Sequence, residues 1–427
     1  MLVVFGALFL FAVLIFAGFI PIGQSTSQQY SGNVTLWGTL SASDMSPLVD
    51  DFNLKKNFVL RYVQKDAGSF KSDLVDALAS GTGPDLILSP GSDVWSLRDK
   101  VLIIPYASYP ERSFRANYIG ESDLLLSKDG ILGLPFTVDP LVLYYNRDLL
   151  TNAGIAKPPV TWDELVSDVS KLVVRDANQS VIKQSAIALG SFGNVDHAKD
   201  IMSLLILQSG NQITARNASG DLVSVLKNEI SASSSLVPAV SAIRFYASFA
   251  NPVVSTYTWN AGLPRAQTAF LSNNLAFYIG YASELASIRA QNPNLNFDVA
   301  LMPQTSGAVA KMTFGNMSAL MVAKASKNQA TALYVATELA SSAFLEKLSA
   351  AILLPPVTRD LLSKRTADPY LSLFNQSALM AHGWLDPNGS ATDSIWKNML
   401  GSVLSGTLDP EAAVLRASGE LDGIIRN

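Results

Sequence analysis

The residue types with the most versatile chemistry, cysteine and histidine, are scarce in this sequence. It has no cysteine and only two histidines, His197 and His382, among 427 residues. The absence of cysteine excludes disulfides, thiolate nucleophiles, cysteine-ligated zinc and a lipid attached through an N-terminal cysteine. Neither histidine has a second histidine or a carboxylate at a recognised metal-ligand spacing. We therefore predict no catalytic residue, no metal site and no cofactor.

Asp139 is an isolated carboxylate in the largely apolar segment 133–143. A carboxylate in such surroundings needs a partner, which is either a ligand or the neighbouring backbone amides. A glycoside hydrolase would need a second carboxylate across a cleft, and Asp93 is the candidate that the sequence offers. Because nothing in the sequence places Asp93 near Asp139, we predict a binding protein rather than an enzyme and keep hydrolysis as the lesser alternative.

Flat aromatic rings are the other residues of interest, because sugars combine apolar ring faces with hydroxyl groups. The chain has 6 tryptophans and 13 tyrosines. Trp259 and Trp384 lie in polar stretches marked by Gly or Pro, without an amphipathic pattern, which favours a position lining a surface. Trp95, Trp162 and Trp396 fall on helix faces or helix starts, so we assign them to packing.

The elements that position these residues follow an apolar N-terminus. Residues 2–20 contain no charged side chain, and about 20 apolar residues in a helix can cross a bilayer. We predict a transmembrane signal-anchor over residues 1–22 and a flexible polar spacer over 23–32. Cleavage near Ser25 is the alternative and would release a secreted or periplasmic protein. In both cases the folded body begins near Asn33, and because no Lys or Arg precedes the apolar stretch, the positive-inside rule does not fix the side of the membrane on which it lies.

Strand and helix patterns alternate through the folded body. Segments 34–38, 58–62 and 86–88 read as strands, and the last is a short apolar run of the kind found in buried parallel strands. This order predicts an α/β fold with parallel-type sheets flanked by helices. Ligands collect beyond the carboxyl ends of parallel strands, so we predict site residues directly after the first and third of these strands. They are Trp37, Ser41 and Ser89.

Six segments, in this order, resemble the family of extracellular solute-binding proteins that includes maltose-binding protein. They are GTGPDLI at 81–87, GLPFTVDPLVLYYNRDLL at 133–150, AGIAKPPVTWDELVSDVSKL at 153–172, AFLSNNLAFYIG at 269–280, FDVALMPQ at 297–304 and GNMSALMVAKASKNQATALYVATELA at 315–340. The resemblance covers nearly the whole chain after residue 32. It implies the extracytoplasmic binding component of an ABC importer, which captures a carbohydrate and delivers it to a permease.

The resemblance also implies a two-lobed periplasmic-binding-protein fold of type II, with ligand held between lobes that close by a hinge. The chain would cross between the lobes near 137–141, 301–303 and 350–355. One lobe would then hold residues 33–138 and 302–350, and the other would hold 140–300 and 355–427.

The resemblance implies two ligand contacts, at Asp139 and Tyr281, and the residues themselves add a third candidate, Asn316. Asp139 occupies the first crossing, where maltose-binding protein has an acid that contacts sugar hydroxyls. Tyr281 corresponds roughly to a stretch where sugar-binding relatives place a tryptophan in the cleft. Asn316 enters a strand beside Gly315, where its amide could bind a hydroxyl or shape the turn.

Several classes of protein remain to be weighed. A net charge of -4 without basic runs excludes nucleic acid as an expected partner. A ferric-ion carrier would need converging ligands, whereas Tyr144 and Tyr145 are adjacent in a strand and point to opposite faces. A sensor that presents its ligand to a signalling receptor, and a binder of another polar metabolite, remain as alternatives.

Overall fold

The computed structural model describes residues 30–54, 56–229 and 236–426. The strands in these ranges are β1 Gly32–Gly38, β2 Phe58–Gln64, β3 Leu86–Pro90, β4 Leu126–Ser127, β5 Gly130–Ile131, β6 Leu134–Asn146, β7 Val174–Arg175, β8 Ile182–Ile187, β9 Thr214–Arg216, β10 Leu222–Ser224, β11 Leu275–Tyr281, β12 Phe297–Ala300, β13 Thr313–Val322 and β14 Ala381–His382.

Helices alternate with these strands along the chain. They are α1 Ala42–Asn53, α2 Phe70–Ser80, α3 Val94–Leu97, α4 Glu111–Asn117, α5 Arg147–Asn152, α6 Trp162–Leu172, α7 Ala198–Gln208, α8 Pro238–Ser248, α9 Ala266–Leu271, α10 Glu284–Gln291, α11 Gln329–Leu339, α12 Ser342–Ile352, α13 Arg359–Leu362, α14 Pro369–Leu379, α15 Gly389–Leu404 and α16 Pro410–Arg426. Short 3₁₀ helices cover Gly91–Asp93 and Gly120–Leu125.

Helix α6 shows how local sequence sets an element. The Thr161 hydroxyl accepts a hydrogen bond from the Glu164 N–H at 3.2 Å, and the Glu164 carboxylate accepts one from the Val160 N–H at 2.8 Å. These bonds satisfy backbone donors that the first helical turn leaves free. The predicted helix start is therefore confirmed. Leu165 and Val169, both buried, then face the core.

A single hydrogen-bonded sheet runs through the molecule in the order β2-β1-β3-β13-β6-β11-β8-β7, with β12 also paired to β6 and β14 to β13. Pairs β1–β2, β1–β3 and β8–β11 are parallel. Strand β13 is antiparallel to β3 and β6, and β11 and β12 are antiparallel to β6. The sheet is thus mixed rather than parallel throughout, because its two long central strands run against their neighbours.

The apolar side chains form two separate cores, which define the two lobes. Lobe 1 packs around the first cluster, which includes Leu36 and Val138, and lobe 2 packs around the second, which includes Leu141 and Tyr144. Strand β6 pairs with β13 up to Pro140 and with β11 from Leu141 onwards. The chain therefore passes from lobe 1 to lobe 2 within the segment 137–141.

The second crossing lies away from the position that the resemblance implies. Met302 and Phe314 pack in lobe 2, and Met317 packs in lobe 1, so the chain crosses near residues 315–316 of β13 instead of 301–303. The segment 301–304 stays in lobe 2 through a backbone hydrogen bond, in which the Gln304 N–H donates to the Val160 carbonyl at 3.0 Å. Proline after Met302 therefore marks a bend within lobe 2.

The segment after residue 355 also departs from the predicted division. Val357 and Leu361 pack in the core of lobe 1, where the Ile119 N–H donates to the Val357 carbonyl at 3.0 Å. Further along, Phe374 and Trp384 pack in the core of lobe 2, whereas Ala378, Ala381 and Leu385 pack in that of lobe 1, so the segment 374–385 lies between the two cores. The assignment of all residues from 355 onwards to lobe 2 is therefore wrong for this segment.

The start of the folded body lies earlier than predicted. The ring of Tyr30 stacks on Tyr334 with centroids 4.2 Å apart, and the Ser31 carbonyl accepts a hydrogen bond from Asn328 Nδ2 at 3.0 Å. These contacts tie the end of the predicted spacer to α11. The predicted signal-anchor and residues 23–29 lie outside the described residues. Among the described helices, none combines the length and apolar character that a membrane span requires.

Glu121 is a buried acid at the junction of the lobes. Its side chain is only 3% exposed and lies against Gly315, where a Cβ atom would collide with the carboxyl group. Burial raises the pKa of Glu121 to about 8, while a hydrogen bond from the Met317 N–H acts in the opposite direction. Among the described residues, Oε2 has no hydrogen-bond partner. Since no described basic side chain forms an ion pair with Glu121, burial favours its protonated form at neutral pH.

We expect Glu121→Gln to stabilise the protein at alkaline pH. In the unfolded chain this carboxyl ionises near pH 4.5, whereas the folded protein keeps the proton up to about pH 8. The unfolded state therefore loses its proton first, and stability falls as the pH rises between these two values. At roughly 1.4 kcal/mol per pKa unit, the loss amounts to about 4–5 kcal/mol above pH 8.

Urea unfolding at several pH values measures this effect. Glu121→Gln should exceed the wild type in unfolding free energy at pH 9, and the difference should vanish below pH 4.5. The exposed Glu411→Gln is the matched control and should follow the wild type throughout. Equal stability of Glu121→Gln and wild type at pH 9 would contradict a buried neutral acid.

Candidate functional site: an interlobe cavity

A cavity of about 410 Å³ lies between the lobes. Lobe 1 contributes Gly91, Ser92, Glu121 and Leu124, and the crossing strand β13 contributes residues 314–317. Lobe 2 contributes residues 192–193 and 195–200, residues of the segment 383–393, and the single residues Arg265 and Tyr281. Polar and aromatic side chains face each other across this space.

The position of the cavity follows from the direction of the strands. Gly91 and Ser92 come directly after β3, and Tyr281 is the last residue of β11. The loop between β8 and α7 supplies residues 192–197. Because β1 and β3 are parallel, as are β8 and β11, the carboxyl ends of the strands in each lobe point to the interface. This is where open α/β sheets bind ligands.

Tyr281 is the centre of a hydrogen-bonded cluster on the lobe 2 wall. Its hydroxyl donates to Asp200 Oδ2 at 2.8 Å, and its ring meets that of His197 edge to face with centroids 4.7 Å apart. Burial raises the pKa of Asp200 above its ordinary value, although the Tyr281 hydrogen bond and the charge of Lys199 oppose this shift. Asp200 is therefore partly buried, and of its two carboxylate oxygens only Oδ2 accepts the hydrogen bond from Tyr281.

Glu284 lies behind this cluster and holds His197. His197 Nε2 is 2.7 Å from Glu284 Oε1, and the Tyr278 hydroxyl donates to Glu284 Oε2 at 2.6 Å. Burial acts to raise the pKa of Glu284, but the hydrogen bond and charge of His197 outweigh it, so this pKa lies below its ordinary value. Burial likewise opposes the charged imidazole, yet Glu284 raises the pKa of His197. The two groups form an ion pair at the cavity wall.

Lys199 and Asp386 form a second buried pair. Lys199 Nζ donates to Asp386 Oδ2 at 2.7 Å and to Thr392 Oγ1 at 3.0 Å. Asp386 also accepts the Asn388 N–H at 2.9 Å, which fixes the turn before α15. A buried pair of this kind is favourable only when the remaining hydrogen-bonding capacity is satisfied, and here the turn and Thr392 satisfy it.

Trp384 lines the cavity with an aromatic ring, although the residue is only 6% exposed. Its ring is stacked on that of Trp396, with centroids 5.3 Å apart and planes 8° from parallel. Trp396 is fully buried in lobe 2, as predicted for a packing residue, and Lys199 Nζ lies 5.9 Å from the Trp384 centroid. Because Trp396 holds one face, the orientation of Trp384 is set before any ligand arrives.

Three of the predicted site residues line this cavity: Tyr281, Asn316 and Trp384. Asp139 lies one strand away from the wall, in register with Asn316 across β6 and β13. Its Oδ1 accepts the Ser283 N–H at 3.0 Å, so it has the backbone-amide partner that the sequence left open. Burial raises the pKa of Asp139 to about 6, and the bond from Ser283 opposes this rise.

The other four predicted residues lie elsewhere. Trp37 is half-buried in lobe 1 with Lys65 Nζ 3.6 Å from its ring centroid, and Ser41 caps α1 by accepting the Ser43 N–H. Ser89 is fully buried inside β3, and the cavity is reached two residues later, at Gly91. Trp259 does not line the surface as predicted; it is fully buried, because Asn194 accepts its indole N–H at 3.1 Å and so satisfies its polar atom.

Sequence reasoning missed the most polar part of the wall, residues 195–200. The sequence patterns assign no ligand-binding role to His197, Lys199 or Asp200. The signal that could have found them is the charged run DHAKD at 196–200, which opens a helix after a strand. Asp386 follows Trp384 by two residues, so the same stretch supplies both an aromatic ring and a carboxylate.

The two acids considered for hydrolysis, Asp93 and Asp139, are not among the residues that line the cavity, and Asp93 pairs with Lys71 at 3.3 Å. Over the described ranges of the chain, no three His, Asp or Glu side chains are grouped to hold a metal ion. Tyr144 is buried with its hydroxyl on the Tyr281 carbonyl, whereas Tyr145 reaches Asp298. The site is arranged for binding.

Known proteins were compared with this fold and cavity. A family model described as bacterial extracellular solute-binding protein matches residues 47–370. A binding protein of Brucella abortus (strain 2308) is 23% identical over 371 residues, which cover 83% of this chain and 82% of that protein.

Solved structures agree with the two-lobed fold. A cyclo/maltodextrin-binding protein complexed with maltotetraose is similar with a TM-score of 0.74 and 17% identity, covering 95% of this chain and 99% of the other. An ABC transporter solute-binding protein from Thermotoga lettingae, bound with α-D-tagatose, is similar with a TM-score of 0.69 and 20% identity, covering 92% and 100%. At these identities the likeness shows the fold alone.

The family match spans well over half of the chain, and the proteins of this family bind solutes rather than transform them. The two lobes and the cavity between the carboxyl ends of their strands agree with that match. The chain belongs to the family of bacterial extracellular solute-binding proteins.

Proposed function

We propose that the protein captures a carbohydrate in the interlobe cavity and delivers it to the permease of an ABC importer. The observation that carries this proposal is the aromatic surface of Trp384, fixed by Trp396 and bordered by Asp200, Asp386 and Lys199. A sugar ring needs an apolar platform and, around its edge, acceptors and donors for hydroxyl groups.

The size and polarity of the cavity support the same ligand class. A volume of about 410 Å³ lies within the range of small-molecule sites, which runs from about 300 to 1,000 Å³. Similar proteins hold maltotetraose and α-D-tagatose, which are both carbohydrates. Other polar metabolites would satisfy the carboxylates, but they would leave the face of Trp384 without a matching apolar surface.

Delivery to a permease follows from the proposed family role. Closure around a ligand brings contacts from both lobes together, so the ligand shifts the population towards the closed form that a permease recognises. We further propose that residues 1–22 anchor the protein on the extracytoplasmic face of the membrane, because an uncharged apolar stretch of this length can span a bilayer.

A thermal-shift series with mono- and oligosaccharides tests the ligand class. A ligand that binds only the folded protein stabilises it by about 2.7 kcal/mol at 100 times its Kd, so the melting temperature should rise with sugar concentration. Maltose, maltotetraose and tagatose are the first probes. A rise with a polyamine or phosphate ester, and with no sugar, would overturn the carbohydrate assignment.

Trp384→Ala should weaken sugar binding by at least about tenfold, because it removes the stacking face and leaves the polar border in place. Trp384→Phe keeps a ring and should recover most of the affinity. Calorimetric titration with the best sugar of the thermal-shift series measures both variants, and circular dichroism verifies that each is folded. If Trp384→Ala bound as tightly as the wild type, Trp384 would not be the platform.

Cell fractionation tests the proposed anchor. The full chain should sediment with membranes, and deletion of residues 1–22 behind a cleavable leader should move it to the soluble fraction. A soluble full-length protein whose N-terminus begins near Ser25 would indicate cleavage instead. In the same cells, loss of labelled-sugar uptake on gene deletion supports an importer, whereas normal uptake with a lost chemotactic or transcriptional response indicates a sensor.

A further inference from the structure

The hairpin of β9 and β10 is rooted in lobe 2. The residues on either side of it, Ile213 and Leu226, are fully buried in the lobe 2 core. The Ser224 N–H donates to Asp422 Oδ1 on α16 at 2.9 Å, and the Ser224 and Ser418 hydroxyls are 2.9 Å apart. The hairpin therefore has to move with lobe 2.

The rest of the same hairpin contacts lobe 1. Leu222 is 2% exposed and belongs to the lobe 1 core. Arg216 Nη2 donates to the Leu126 carbonyl at 3.1 Å, and its guanidinium lies 5.2 Å from the centroid of the Trp95 ring. These are an apolar contact, a hydrogen bond and a cation–π contact, all made across the boundary between the lobes.

The hairpin also lies beside the cavity. The Thr214 hydroxyl donates to the Leu385 carbonyl at 2.9 Å, between the lining residues Trp384 and Asp386. On the other side, Leu126 follows the lining residue Leu124 by two positions. The contacts of the hairpin thus connect the two walls of the cavity along one side.

A second arginine makes the contact with Trp95 easy to release. The Arg98 guanidinium lies 4.1 Å from the same ring centroid. Burial, followed by the like charge of Arg98, lowers the pKa of Arg216. Because the two cations repel each other, the Arg216 contact is weaker than an isolated cation–π contact would be.

We infer that the β9–β10 hairpin is a clasp between the lobes, which holds the cleft closed and releases Arg216 and Leu222 from lobe 1 when the cleft opens. When the lobes rotate apart about the crossing strands, Leu126 and Trp95 move with lobe 1 and the hairpin moves with lobe 2, so the distance between them grows. We expect these contacts to break as the cleft opens, so they favour the closed form whether or not a ligand is present. The clasp therefore sets the open-to-closed ratio independently of the ligand class.

The distance between the lobes in ligand-free protein tests the clasp. Because the chain has no cysteine, Asp76→Cys in lobe 1 and Leu415→Cys in lobe 2, both at exposed positions, can carry spin labels without any other change. In this labelled background, Arg216→Ala with Leu222→Ala should raise the open-to-closed ratio by about tenfold, a change equivalent to 1.4 kcal/mol. Pulsed electron spin resonance measures the two distance populations.

Ser219→Ala is the matched control, because Ser219 is an exposed residue of the same hairpin that makes none of the clasp contacts. It should leave both populations unchanged. Arg216→Lys keeps the charge and loses the planar guanidinium, so it should give an intermediate ratio; this single change decides the question if Leu222→Ala prevents folding. Distance distributions of Arg216→Lys and of the folded double variant that coincide with the wild type would overturn the clasp. No sugar enters this experiment, so its result is separate from that of the carbohydrate screen.

Discussion

The side-by-side passage of β6 and β13 between two apolar cores is the constraint on which the rest of the molecule depends. Asp139 and Asn316 are paired in register where the two strands cross. Because the strands are hydrogen-bonded to each other, the crossings act as one unit and not as separate linkers. Each strand continues into both cores, so neither lobe can slide along the other, and the motion that remains is rotation.

This constraint also creates the unusual environment of Glu121. Two glycines, Gly315 and Gly383, allow the side chain to approach the crossing backbone, and the approach removes it from water. Three other acids at or behind the cavity wall have a basic partner: Asp386 pairs with Lys199, Asp196 with Arg265 and Glu284 with His197. No basic side chain in the described part of the chain pairs with Glu121, and burial favours its neutral form because a buried unpaired charge would cost more than keeping the proton.

The compensation of these acids explains how the wall can be both charged and ordered. Lys199, Asp386 and Thr392 fix the turn that carries Trp384, while Asp200 and Tyr281 fix the end of β11. A wall held in this way loses little entropy when a ligand binds, which is the advantage of preorganisation.

Local patterns were sufficient to predict the alternation of strands and helices, because each element depends on residues adjacent in the chain. They also pointed to Asn316 and Trp384, whereas Tyr281 and the passage of β6 between the lobes came from the family resemblance. The later crossings, the burial of Trp259 and the cluster around His197 were decided only by tertiary structure. Each depends on partners far away in sequence: Gln304 on Val160, Trp259 on Asn194 and His197 on Glu284. A pattern read along the chain reports which side chains are apolar or charged, but whether a polar atom finds a partner, and so whether it can be buried, is settled only when the lobes have packed.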